Sequence, residues 1–202
     1  MGSDCKIMAC RYKDEINLTI SIPQLSTHVH SVSEYKKNYD TTLSIISLII
    51  ESSSFEKVTI ILNPGDNTDK EMLYLRFTGS CIESGDEGQV SRGNRLGGVI
   101  SSCRSFSIEG LSGKNPSYHA GKLYSVAAWD IAQKIVEQEN VSCEVFITSQ
   151  IDRPLDDPAF IVINFDYNRQ VNVEAIQKIV RDRLVSLKEV TDNILDGKYP
   201  LV

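Results

Sequence analysis

Residues 15–22 alternate apolar and polar positions, with Ile16, Leu18, Ile20 and Ile22 on one face and Asn17, Thr19 and Ser21 on the other. That period of two predicts a half-buried strand, which Pro23 ends. Residues 5–11 are the expected partner strand, joined through the polar turn Tyr12-Lys13-Asp14. Ser31, with Glu34 three residues later, forms a capping box. Beyond it Val32, Tyr35, Tyr39, Leu43, Ile46 and Ile50 recur at steps of three and four, the signature of an amphipathic helix. Residues 58–62 and 73–78 read as strands, and the turn-rich residues 63–70 between them predict a hairpin. The first 80 residues thus read as a β-β-α-β-β unit.

In the second half, Leu123, Ala127, Ile131 and Ile135 mark another helix, and residues 141–148 and 159–165 read as strands. The unbroken apolar run of residues 159–163 predicts a central strand covered on both faces. A final helix carries Val173, Ile176, Val180, Leu184 and Leu187. The expected fold class is α+β: two sheet-plus-helix units, mixed or antiparallel sheets with helices packed on one face, divided as residues 1–80 and 81–202.

Composition narrows the function classes. The chain has 202 residues, 41% hydrophobic and 24% charged, ordinary values for a globular domain with a substantial core. Its net charge of −6 argues against non-specific nucleic-acid binding. No apolar stretch is long enough to span a bilayer, and the start shows no signal peptide, so a cytoplasmic protein is expected. The five cysteines, an odd count with no C-x-x-C spacing, read as reduced and mostly buried thiols. His28-x-His30 lacks a third ligand nearby and reads as polar loop.

The chemistry is concentrated in residues 85–122, which hold eight of the twelve glycines. This window carries five cations (Arg92, Arg95, Arg104, Lys114, Lys122) against three acids (Asp86, Glu87, Glu109), so it is +2 while the rest of the chain is −8. Glycine lets backbone N–H groups approach a ligand, and Arg and Lys beside such backbone form a cradle for phosphate. A positive island in an acidic protein points to a specific anion, most naturally a polyphosphate. It is not a P-loop: Gly113-Lys114 has no glycine five residues before it, and Asn115 stands where Ser or Thr belongs. Nor does a G-x-G-x-x-G follow a strand.

These residues carry a resemblance. Gly85-Asp86-Glu87-Gly88-Gln89-Val90-Ser91-Arg92-Gly93-Asn94-Arg95, then Gly113-Lys114-Asn115-Pro116 and His119-Ala120-Gly121-Lys122, resemble the archaeal-type S-adenosylmethionine synthetases (methionine adenosyltransferases). Asp4-Cys5-Lys6-Ile7-Met8, Ser149-Gln150-Ile151-Asp152-Arg153-Pro154, and Val190-Thr191-Asp192 with Asp196-Gly197-Lys198 resemble further family stretches in the same order. The resemblance runs over essentially the whole chain but only to the family's central and C-terminal parts. The family's N-terminal domain, with its His-Pro-Asp motif and metal-binding carboxylate, has no counterpart, since none of His28, His30 and His119 is followed by Pro-Asp.

The resemblance implies an ATP and methionine chemistry with Mg2+ and K+ as cofactors. On that analogy Arg92, Arg95 and Lys114 grip the triphosphate, with Lys122 a further contact. Lys6 meets the phosphates or the bridging oxygen, and Asp4 the nucleoside or methionine side. Asp86 meets the methionine ammonium or the ribose, and Asn94, Asn115 and His119 position the ligand. No metal site is expected within this chain. Ser91 replaces a family glycine, Arg104-Ser105-Phe106-Ser107 replaces R-P-M-S, and Ala120 replaces a valine, while the charged positions are kept.

Three functions follow from this reading. The first is a subunit of a split, heteromeric methionine adenosyltransferase whose partner chain supplies the missing domain. The second is a non-catalytic regulatory or scaffold subunit of a full-length synthetase. The third is a triphosphate-binding protein or triphosphatase acting alone. Retention of the phosphate-binding cations favours the first.

Overall fold

In the computed structural model, residues 1–80, 96, 105, 111, 114–165 and 168–201 are described. The chain divides into two compact units, Met1–Asp86 and Glu87–Val202. The architecture is α+β, with four α-helices among the described residues and small mixed, parallel and antiparallel sheets.

In the first unit, strands β1 (Lys6–Tyr12) and β2 (Glu15–Ser21) form the expected antiparallel hairpin, with Tyr12 paired to Glu15 across the turn. Lys13 takes a left-handed φ of 54° there, and its carbonyl accepts a 2.8 Å bond from Arg11 Nε. The two-residue strand β3 (Gln24–Leu25), after Pro23, was not anticipated. Helix α1 (Val32–Glu51) then carries the chain back to strand β4 (Lys57–Leu62), which pairs in parallel with β2. A crossover helix is what a parallel pairing requires. Ser31 caps α1 by accepting from the Glu34 N–H at 3.1 Å, while the Glu34 carboxylate accepts from the His30 N–H. The capping box is present, displaced outward by one residue on its return side.

The sheet order is β1-β2-β4, which makes β2 central. Ile16 and Ile20 are buried as the alternation predicts, and Thr19 on the opposite face is buried as well because strands flank it on both sides. The predicted hairpin of residues 58–62 with 73–78 does not form. Strand β5 is only Leu75–Arg76, and it pairs in parallel with β3. Polar side chains divert the chain after β4. Asn63, at φ 44°, accepts from the Ile22 N–H at 2.8 Å and donates to its carbonyl at 3.0 Å. The Asp66 carboxylate then accepts from the Tyr35 hydroxyl at 2.5 Å and the Tyr74 N–H at 2.8 Å. Between them a 3₁₀ turn, Thr68–Lys70, folds the segment onto itself. Side-chain hydrogen bonds thus replace the strand ladder that the apolar pattern suggests.

Buried Gln24 locks this unit to α1, donating to the Tyr35 carbonyl and accepting from Asn38. Tyr39 donates to the Leu62 carbonyl at 3.0 Å. The other side of α1 leaves Ile45, Leu48 and Ile49 more than half exposed, at 53%, 65% and 64%.

The second unit is built on α2 (Ala120–Glu139), whose Val126, Ala127, Ile131 and Ile135 are fully buried. It packs on strands β6 (Cys143–Thr148) and β7 (Phe160–Phe165), an antiparallel pair. Val145, Ile147, Ile161 and Ile163 face the core, whereas Phe146 and Val162, paired across the ladder, are 37% and 47% exposed. β7 is therefore covered on one face, not both as its apolar run predicts. That run reflects the strand preference of β-branched residues. The expected final helix is two helices, α3 (Val173–Val185) and α4 (Leu187–Leu195), divided at Ser186. The described cysteines are also less buried than expected: Cys5 is exposed, and Cys10 and Cys143 are half-buried free thiols.

One ion pair lies inside this unit. Arg183 of α3 meets Asp130 of α2 at 3.2 Å, with side-chain exposures of 10% and 11%. The Tyr199 hydroxyl donates to the same carboxylate at 2.7 Å, and its ring meets Trp129 edge-on. Burial, then the bond to Asp130, pushes the Tyr199 phenol up to about 12.

Asp130→Asn leaves the Arg183 charge without its buried counter-charge and is expected to cost about 3–5 kcal/mol of stability, read by chemical denaturation. The folded chain keeps the Tyr199 proton at a pH where the unfolded chain, with a phenol near 10, has lost it. The stability this supplies is present below pH 10 and is lost as pH rises toward about 12. Tyr199→Phe should remove that part of the alkaline loss, measured as the difference in Tm between pH 9 and about pH 11.

Candidate functional site

The residues singled out by sequence fall into three groups. Asp86, Arg92, Asn94 and Arg95 lie outside the described residues. Asp4 and Lys6 belong to the first unit, and Lys114, Asn115, His119 and Lys122 to the second.

Asp4 and Lys6 are brought together. Lys6 Nζ lies 3.2 Å from Asp4 Oδ2, with the carboxylate side chain 25% exposed and the lysine 54%. The segment is tied down by backbone: the Gly2 N–H donates to the Pro23 carbonyl at 2.6 Å and the Asp4 N–H to the Gly79 carbonyl at 3.2 Å. Two glycines allow this. Gly79 sits at φ +75°, and a Cβ on it would lie 2.8 Å from Gly2 Cα. A side chain at position 79 would be strained in conformation and blocked in space. Asp4 is therefore held against Gly79, a placement with no signal in the local sequence pattern.

In the second unit, residues 114–122 form a compact entry to α2. Asn115 accepts from the Ser117 N–H through its side chain at 2.8 Å, and its carbonyl accepts from the His119 N–H at 3.1 Å. His119 is the N-cap of α2, with Nδ1 accepting from the Lys122 N–H at 3.2 Å. That bond requires an unprotonated Nδ1, so a neutral ring carries its proton on Nε2. The His119 ring thus closes the start of α2. The side chain stands where Ser, Thr, Asp or Asn more often caps.

Lys122 is the unusual group. It lies in the first turn of α2 and is 7% exposed. Burial holds its ammonium below the usual lysine range. Among the described residues no carboxylate lies within ion-pair distance of it. A buried lysine with no counter-charge among the described residues, in the first turn of a helix, favours an anion.

Three further positions of the Gly-rich stretch are described. Leu111 is 1% exposed and packs with Leu123, Tyr124 and Val126, Leu96 packs against the same cluster, and Ser105 donates to Glu144 at 3.1 Å. Leu96, Ser105 and Leu111 are thus each in contact with the rest of the second unit.

Sequence reasoning assigned no role to Thr191, whose hydroxyl donates to the Pro116 carbonyl at 2.8 Å across 75 residues. It also missed an open cavity of about 480 Å³ in the first unit, lined by Tyr35, Tyr39, Asn63 and Asp66 among others and by none of the predicted site residues. Among the described residues no three His, Cys, Asp or Glu side chains converge to hold a metal ion. No described helix is long and apolar enough to cross a membrane.

The arrangement can hold an anion at the α2 entry and presents a carboxylate–ammonium pair on the first strand. Comparison with known proteins agrees with the motifs. The family profile of S-adenosylmethionine synthetase (AdoMet synthetase) matches residues 1–198. The chain is 36% identical to the S-adenosylmethionine synthase of Thermoplasma acidophilum, aligned over 100% of this chain and 52% of that protein. It is 38% identical to the S-adenosylmethionine synthase of Saccharolobus islandicus over 100% of this chain and 52% of the relative. It is 31% identical to the probable S-adenosylmethionine synthase of Aquifex aeolicus over 98% and 51%. The chain spans about half the length of the curated relatives it matches. On the strength of a match from end to end, the chain belongs to the S-adenosylmethionine synthetase family.

Proposed function

We propose that this chain is the phosphate-binding subunit of a split methionine adenosyltransferase, which makes S-adenosylmethionine from ATP and L-methionine with release of phosphate and pyrophosphate. The observation that carries the reading is the match to synthases over the whole of this chain, supported by a buried Lys122 at the α2 entry with no counter-charge among the described residues. A separate chain would supply the family's N-terminal domain. The exposed aliphatic side chains of α1, Ile45, Leu48 and Ile49, are compatible with a chain that has further surface to cover. The expected place of work is the cytoplasm.

In the proposed reaction the methionine sulfur donates a lone pair to the ribose C5′ carbon. The S–C5′ bond forms, the C5′–O bond breaks, and its electrons leave on the triphosphate. Sulfur needs no general base, so the protein's tasks are alignment and stabilisation of the charge growing on the leaving group. Arg92, Arg95, Lys114 and Lys122 would take the triphosphate, and the planar guanidinium groups suit bidentate binding of its oxygens. Lys6 would meet the bridging oxygen, with Asp4 beside it on the nucleoside or methionine side. Asp86 would receive the methionine ammonium or the ribose, and Asn94, Asn115 and His119 would position the ligand or its loop. The proposed domain division, residues 1–80 and 81–202, assigns the first pair to one domain and the cation loops to the other.

Mg2+ and K+ are the ions this family chemistry implies. The described residues do not fit a magnesium site: Asp4 is already paired to Lys6, and no carboxylate cluster forms. A metal carboxylate would come from the partner chain, and no step is assigned to an ion here.

The test is S-adenosylmethionine formation from ATP, methionine, Mg2+ and K+, with the chain alone and with a chain carrying the His-Pro-Asp domain. Activity in the mixture only is expected, and Arg92→Ala or Lys114→Ala should lower it about a hundredfold or more. Activity of the chain alone would overturn the split reading. Complex formation without activity would replace it with a regulatory role.

Lys122 gives a second expectation. Its folded pKa is lowered, so the unfolded chain binds more protons between that value and the ordinary 10.5. Its burial therefore destabilises the fold at neutral pH, and that penalty is relieved as pH rises through this window. Lys122→Met should raise Tm at pH 7, flatten the rise with pH, and weaken binding of inorganic tripolyphosphate. A variant that gains stability and keeps full tripolyphosphate affinity would exclude Lys122 from the binding set.

A further inference from the structure

We infer that Thr191 is a positioning residue for the anion-binding loop, its hydroxyl holding the Pro116 carbonyl so that Lys114 and Asn115 are presented in one conformation. The inference rests on the proposal above that this segment binds a polyphosphate. A threonine within a helix ordinarily returns its hydroxyl to the carbonyl four residues earlier. On α1, Thr41 donates to the Lys37 carbonyl and Thr42 to the Asn38 carbonyl in this way. Thr191 on α4 instead donates at 2.8 Å to the carbonyl of Pro116, 75 residues away.

The loop has need of such a contact. Its bonds from Asn115 to the Ser117 and His119 N–H groups are internal and close the loop on itself without fixing it to a neighbour. Pro116 has no N–H to contribute, so its carbonyl is the backbone group at that residue available for a tether. The helix that provides the tether is itself fixed. Val190, next to Thr191, is completely buried and Leu187 is 8% exposed in the same core as Leu123 and Tyr124. Glu189, on the first turn of α4, reaches to 4.0 Å from the Arg183 guanidinium whose other nitrogen holds Asp130. Interactions thus run from α2 through α3 and α4 back to the loop that precedes α2. A lysine on a loop held in this way loses less conformational freedom on meeting a phosphate, and that saving appears as affinity.

The experiment compares Thr191→Val, which keeps the shape and removes the hydroxyl, with Thr191→Ser, which restores it. Two quantities are read on the full chain: amide hydrogen exchange at Ser117 and His119, and the Kd for inorganic tripolyphosphate by calorimetry. Thr191→Val should speed exchange at both amides and weaken binding about three- to tenfold, the scale of one hydrogen bond, with Thr191→Ser close to wild type in both. Unchanged exchange in Thr191→Val would overturn the tether. Faster exchange with unchanged Kd would overturn its positioning role while leaving the phosphate reading intact. A wild-type chain that does not bind tripolyphosphate, with Lys114→Ala no different, would instead overturn the phosphate reading and this inference with it.

Discussion

The buried pair of Arg183 and Asp130 is the constraint on which the second unit turns. Taking two charges out of water is costly, and the cost is offset only where the geometry is good and the remaining hydrogen-bonding capacity is used. Here the carboxylate also accepts from Tyr199, so residues of α2, α3 and the segment after α4 meet at one anion, whereas Arg183 Nε and Nη1 are buried with no hydrogen-bond partner among the described residues. Hydrophobic packing alone tolerates sliding of helices against one another, whereas a charge with a fixed set of partners does not. The α2 helix carries His119 and Lys122 at its start, and α4 carries Thr191. The interior ion pair therefore bears on a loop that contains none of its members.

The first unit solves a different problem by related means. Its strands β1, β2 and β4 leave the chain at Leu62 with an apolar segment still to come, and a hairpin onto β4 is the obvious continuation. Asn63 and Asp66 prevent it by satisfying the backbone of Ile22 and Tyr74 with side-chain atoms. A buried backbone group needs a partner but not a particular one. The diverted chain reaches Gly79, where the close approach of two glycines joins it to the N-terminal segment that carries Asp4 and leads into β1.

Membership of the synthetase family and the proposed anion site at the α2 entry are consistent with each other. Lys122 illustrates why. A lysine buried with no counter-charge among the described residues lowers stability at neutral pH, and an anionic ligand would offset that cost. The same reasoning separates it from Lys57 and Lys198, whose salt bridges are exposed and contribute little.

The local patterns determined what local physics controls. Alternation marked β2, helical spacing marked α1 and α2, Ser31 and Glu34 marked the start of α1, and the Gly-rich cationic stretch with its ordered motifs marked the family and the candidate chemistry. Tertiary structure decided the rest. Partner choice for β4 and β5 depended on side chains of Asn63 and Asp66, whose polar positions look like ordinary turn residues. The apolar run of β7 reported strand propensity and said nothing of how many faces would be covered. The division at Ser186 left the apolar spacing unbroken and so gave no warning. The burial of Lys122 and the reach of Thr191 to Pro116 depend on residues far apart in the chain meeting in space. Periodicity records which way a residue faces, whereas the burial and partners of that residue are properties of the assembled core.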